Sequence, residues 1–136
     1  MHNIEIVKKY FSFFLNGEMG KALELIDENA TWTVKGSANV PTVGLWKGKE
    51  QINIFFEQFS KNFEPKEFNM LHYLTNEDKV YVVGNFTHYV KPTQKVINSD
   101  WLIEFTLSND KIVAYKILED SYSLYLSFLT DSHSVE

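Results

Sequence analysis

The chain has 136 residues, a net charge of −5 and 44% apolar content, enough to build one domain around one core. All 13 cations are lysines, and an acidic chain without arginine is a poor match for nucleic acid or for an anionic membrane surface. The absence of cysteine excludes disulfides, thiolate chemistry and Cys-type zinc sites.

No apolar run approaches the ~18 residues of a membrane-spanning helix. Lys8 and Lys9 sit inside an amphipathic pattern and no signal-peptide layout surrounds them, so the expected location is cytoplasmic. Aromatic residues make up 15% of the chain, which predicts an interior built from large flat side chains. There is no repeat and no linker. A single domain is expected over residues 1–129, followed by a polar tail over 130–136.

The first element reads as a helix. Ile4, Val7, Phe11 and Phe14 recur at helical spacing, Asn3 is a candidate cap, and Asn16-Gly17 ends the pattern. A shorter helix follows, with Met19, Ala22, Leu23 and Ile26 on one face. The period then changes to two: Ala30, Trp32 and Val34 alternate with polar residues as a half-buried strand. Residues 36–44 read as a loop. After Gly48 a third helix carries Ile52, Phe55, Phe56, Phe59 and Phe63, stopped by Pro65.

The remainder reads as a four-strand meander. Phe68, Met70, His72 and Leu74 share one face of its first strand. Val80 to Val90 is the second strand, with Gly84, Phe86 and His88 together. Ile97 to Leu107 is the third, presenting Trp101, Ile103 and Phe105, and Ile112 to Glu119 is the last, with Tyr115, Ile117 and Glu119 on one face. Turns fall at Asn76-Glu77-Asp78, Lys91-Pro92-Thr93 and Ser108-Asn109-Asp110. Asp120 or Ser121 caps a short last helix whose stripe is Tyr122, Tyr125, Leu126 and Leu129. Helices grouped against such a sheet predict an α+β fold. Its expected shape is a cone: a curved antiparallel sheet wrapped around three N-terminal helices, with a short C-terminal helix.

Several segments in this order resemble the SnoaL-like, ketosteroid-isomerase-related branch of the nuclear-transport-factor-2-like superfamily. They are Val7-Lys8-Lys9-Tyr10-Phe11, Asn16-Gly17-Glu18, Ala30-Thr31-Trp32-Thr33-Val34 and Gly44-Leu45-Trp46-Lys47-Gly48-Lys49-Glu50, then Phe63-Glu64-Pro65, Asp100-Trp101, Phe105-Thr106 and Glu119-Asp120-Ser121. The resemblance covers residues 4–129 and implies a small-molecule pocket between the sheet and helices one and three. It does not choose among isomerases, cyclases, dehydratases, epoxide hydrolases and plain binding modules.

By that resemblance Tyr10 occupies the place of the isomerases' catalytic tyrosine. The isomerase base, however, falls on Val34 and the second acid on Trp101, so steroid isomerisation is not expected. Epoxide hydrolysis of the limonene type needs an arginine that the chain lacks. The candidate proton carriers are Glu119, whose carboxyl an apolar cone would push up, and His72 and His88, which neighbouring strands bring together if both face inward. The expected pocket wall comprises Phe14, Phe55, Phe59, Trp32, Trp101, Ile103 and Tyr115. No metal or cofactor is expected, since two histidines without supporting ligands make no metal site and Lys47-Gly48-Lys49 lacks phosphate-loop spacing.

The expected ligand is a small apolar or aromatic molecule, handled by cofactor-free acid–base chemistry or held by a non-catalytic module of the same fold. Leu71, Tyr73, Tyr81, Val83, Tyr89 and Leu102 fall on the opposite sheet face, which predicts a homodimer.

Overall fold

A computed structural model describes residues 2–130. Helix α1 (His2–Leu15) and the short α2 (Met19–Glu24) lead into strand β1 (Ile26–Val34). Strand β2 (Gly44–Lys47) precedes α3 (Gly48–Asn62). Then come β3 (Phe63–Asn76), β4 (Lys79–Val90), β5 (Lys95–Ser108), β6 (Lys111–Glu119) and α4 (Ser121–Ser127). Residues 131–136 of the predicted tail lie outside the described residues.

The six strands form one open sheet in the order β2-β1-β6-β5-β4-β3. β3 to β6 form the antiparallel meander that their turns dictate. β1 pairs with β6 in parallel, so the sheet is mixed rather than wholly antiparallel. Alternation along a strand fixes which face is buried, but only a tight turn fixes direction, and no turn joins β1 to β6. The bend comes from register slips at Pro65/Glu67 and Met70/His72 in β3, at Thr106/Leu107 between β5 and β6, and at Ile26/Thr31 beside β1. Each slip locally increases the twist, and together they curl the long strands around the helices.

The helical stripes pack where their periodicity places them. Val7, Tyr10, Phe11 and Phe14 of α1 and Ile52, Phe55 and Phe56 of α3 are buried in one core with the inward residues of β4, β5 and β6. Four boundaries differ from the sequence expectation. Asn3 lies inside α1 instead of capping it. Ile26 opens β1. Phe63 opens β3, with Pro65 inside that strand. Gly44 to Lys47 forms a strand against β1 where only a loop was expected.

Gly84 lies between β3 and β5 where no side chain fits: a Cβ there would overlap the Asn69 carbonyl oxygen and the Trp101 indole. The missing side chain lets Trp101 lie flat across β4 and stack on Phe68 at 5.0 Å. In α4, Asp120 is the cap, accepting hydrogen bonds from the Ser123 N–H at 3.0 Å and the Ser123 hydroxyl at 2.7 Å. The face that α4 buries is Leu124 and Ser127, while Tyr122, Tyr125 and Leu126 of the expected stripe stay exposed.

Candidate functional site

The core is packed tightly at the end where β4 and β6 begin. Val80, Phe105 and Ile112 are wholly buried there. Toward the other end, an apolar cavity of about 40 Å³ opens between α1, α3, the sheet and α4. Phe14 of α1, Phe55 and Phe59 of α3, Ile103 of β5 and Tyr115 of β6 line it, as does Tyr10. Five residues with polar groups line the same space: Tyr10, Thr42, His88, Tyr115 and Glu119.

Tyr10 is ringed by aromatics, with Phe14 stacked at 5.8 Å and Trp32, Phe105 and Tyr115 edge-on at 5.8, 5.7 and 6.4 Å. Burial pushes its hydroxyl far above the ordinary tyrosine value, and the neighbouring Trp32 indole N–H pulls weakly the other way. Tyr115 is pushed well up by burial, then by the nearby Tyr10 and Glu119. Both hydroxyls therefore stay protonated and act as hydrogen-bonding groups.

Glu119 is the last residue of β6, opposite Trp101 in the β5–β6 ladder. The residue keeps some exposed surface, but protein crowds its carboxyl group, and removal from water raises it from 4.5 to about 7. Lys95 does not pair with it: its ammonium goes to the carbonyls of Leu126 at 3.3 Å and Leu129 at 2.7 Å. Ser99 anchors the next residue, its hydroxyl accepting the Asp120 N–H at 2.9 Å.

His88 projects from the inward face of β4 into a nest of rings. Phe86 stacks on it at 3.9 Å, Phe63 lies at 5.3 Å and Phe59 meets it edge-on at 5.4 Å. Burial lowers it from 6.5 to about 4, with the Thr87 carbonyl acting weakly in the opposite sense, so it is neutral at pH 7. Its Nδ1 has no partner of hydrogen-bonding geometry.

Three expected site residues are placed elsewhere. His72 is exposed, because the slip at Leu71 between the Met70 and His72 pairs inverts the alternation and turns Tyr73 inward instead. The two imidazoles are therefore not brought together, and Tyr73 leaves the outer face, its ring under the Lys8 ammonium at 5.2 Å. Trp32 is fully buried behind the cavity wall, stacked flat on Tyr115 at 4.4 Å with an interplanar angle of 2°. Trp101 lies beneath Phe68 and also does not line the cavity. Neither indole Nε1 finds a partner.

The wall also includes residues the sequence reading did not select: Phe63, Phe68, Phe86, Leu124 and Thr42. Leu124 was legible in principle, since Leu124 and Phe128 are spaced as i and i+4 on a face separate from the tyrosines. Thr42 sits in a loop without periodicity, and nothing marked it. Val34, at the position of the isomerase base, faces the cavity as an apolar residue. Among the described residues no three His, Cys, Asp or Glu side chains gather as a metal site, and no helix is long and apolar enough to cross a membrane.

A family model described as "SnoaL-like domain" matches residues 7–115. No curated protein matches the chain. A nuclear-transport-factor-2-like protein from Burkholderia xenovorans superposes with a TM-score of 0.87 at 23% identity, covering 94% of this chain and 96% of its own. A protein from a soil-derived mobile gene cassette gives 0.82 at 25% identity, covering 94% and 97%. TerC, co-crystallised with polyporic acid, gives 0.84 at 14% identity, covering 94% and 98%.

Proposed function

Because the chain belongs to the SnoaL-like domain family, we propose that it binds a small apolar or aromatic molecule in the cavity between α1, α3 and the sheet and moves a proton on it without a cofactor. The observation that carries this reading is a carboxyl group and an imidazole with an unpaired Nδ1 lining one apolar cavity. Glu119, raised to about 7, is the proton carrier: near neutral pH it is present in both its acid and its base form. Tyr10 supplies a hydroxyl that holds developing negative charge on the ligand, since it keeps its own proton. His88 stays neutral and offers one donor and one acceptor.

The cavity of about 40 Å³ is smaller than the ~150 Å³ that admits benzene, so binding requires wall side chains to move. One feature favours the non-catalytic alternative: Val34 and Trp101 stand where the isomerases of this fold carry their acids. The test is a thermal-shift screen of uncharged aromatic compounds, followed by NMR of each hit in D2O. Deuterium entering the ligand with the native protein, and lost in Glu119→Gln, is the expected result. Binding without exchange supports the binding module, and no hit at all removes the site reading.

We also propose that two copies pair through the outer sheet face, where Val96, Leu71 and Leu118 are 62%, 54% and 47% exposed. Sedimentation is expected to give a dimer at micromolar concentration, and a monomer there contradicts it.

A further inference from the structure

The buried Nδ1 of His88 has no hydrogen-bonding partner. The residue is only 2% exposed, and phenyl rings surround it. A neutral imidazole has one donor and one acceptor, and leaving a buried polar atom unpaired costs about 1–3 kcal/mol. The rest of the cavity limits what can pair with it. No lysine lines the cavity and the chain has no arginine, so an anionic ligand would lose its water without a counter-charge and would meet Glu119. A purely apolar ligand would leave His88 as it is.

We infer that the cavity takes an uncharged flat ligand whose hydroxyl group seats on His88, and that α4 is the wall that yields to admit it. This deepens the proposed small-molecule reading and rests on it.

The second half follows from how α4 is attached. The helix starts two residues after Glu119, and just beyond its far end Phe128 packs on Phe63 at 5.5 Å, beside His88. Its seven residues, about 10 Å of helix, thus run from one titratable group of the cavity to the other. Only Leu124 and Ser127 of the helix are buried, and Leu124 is its sole side chain in the cavity wall. Its C-terminal half is held by polar bonds from other elements. The Thr93 hydroxyl donates to the Ser127 carbonyl at 2.6 Å, the Asn39 amide to the Tyr125 carbonyl at 3.2 Å, and Lys95 to those of Leu126 and Leu129. An element with one buried apolar anchor and polar ties that are exposed or only partly buried opens at lower cost than the strands beside it.

The test uses three probes on one methylbenzene frame: toluene, p-cresol and 4-methylbenzoate, titrated at pH 7 by ligand-observed NMR. Native protein is expected to bind p-cresol about tenfold more tightly than toluene, the worth of one buried hydrogen bond, and not to bind the benzoate. In His88→Phe the preference for p-cresol over toluene falls to within about twofold, and His88→Gln, which keeps a donor and an acceptor, retains part of the preference. Leu124→Ala is expected to tighten toluene and p-cresol alike.

Equal binding of toluene and p-cresol to the native protein overturns the role of His88, as does a preference that survives in His88→Phe; both leave the small-molecule reading standing. Unchanged affinities in Leu124→Ala overturn the role of α4. Failure of all three probes in both the native protein and Leu124→Ala overturns this inference and the reading beneath it together.

Discussion

At the closed end of the cone, Val7, Val80, Phe105 and Ile112 have no exposed surface, and these side chains are carbon packed on carbon. At the other end, the same strands and helices finish on His88, Glu119, Thr42 and Leu124 around a cavity under a seven-residue helix. Both ends use the same alternation and the same abundance of aromatics. They differ in that ionisable groups reach the cavity end with water removed and, at His88 Nδ1, without a protein partner. A core selected only for stability would put apolar residues there, because unpaired buried polarity costs stability. On the proposed reading, the stable half of the fold holds up a half that serves the ligand.

That contrast can be broken at its firm end first. Phe105→Ala is expected to cost about 4 kcal/mol in denaturant unfolding, whereas Leu124→Ala under the short helix is expected to cost about 2 kcal/mol. Equal costs would mean the two ends are packed alike. Gly84→Ala, which drives a methyl group into the Asn69 carbonyl and the Trp101 indole, is expected to cost about 3 kcal/mol, a clash rather than a void.

The smallest effect sharpens the contrast through pH. Glu119, raised from 4.5 to about 7, adds stability that is complete below pH 4.5 and lost as pH rises through 7. His88, lowered from 6.5 to about 4, adds stability that is complete above pH 6.5 and lost as pH falls through 4. Over pH 4.5–6.5 the two slopes oppose each other in the native protein. Relative to it, Glu119→Gln is expected to gain stability as pH rises between 5 and 6, and His88→Phe to lose it, each by about 1 kcal/mol. Parallel pH profiles for all three proteins would mean neither group is buried as described.

Much of this arrangement is legible in the sequence, and its failures are physical. The period-two runs place His88 and Glu119 on inward faces, because alternation is unbroken from Val80 to Val90 in β4 and from Ala114 to Glu119 in β6, past the slip at Thr106/Leu107. His72 fails because one extra residue at Leu71 inverts every side chain beyond it, and the sequence around Met70 carries no glycine or proline to mark the slip. Trp32 and Trp101 are read as inward, which they are. Alternation does not report depth, and Tyr115 and Phe68 stand in front of them. The last helix shows the opposite error: three large side chains suggest a buried stripe, but seven residues capped by Asp120 turn Leu124 inward instead. The parallel pairing of β1 with β6 joins distant parts of the chain and leaves no local trace.

Methyl NMR of the native protein with saturating p-cresol addresses the site most directly. The expected result is shifts concentrated on Leu124, Ile103, Ile117 and Val34, the leucine, isoleucine and valine residues of the cavity wall. Shifts confined to Leu71, Val96 and Leu118 on the exposed face, or no shifts at all, would show that the aromatic cone is a core and not a binding site.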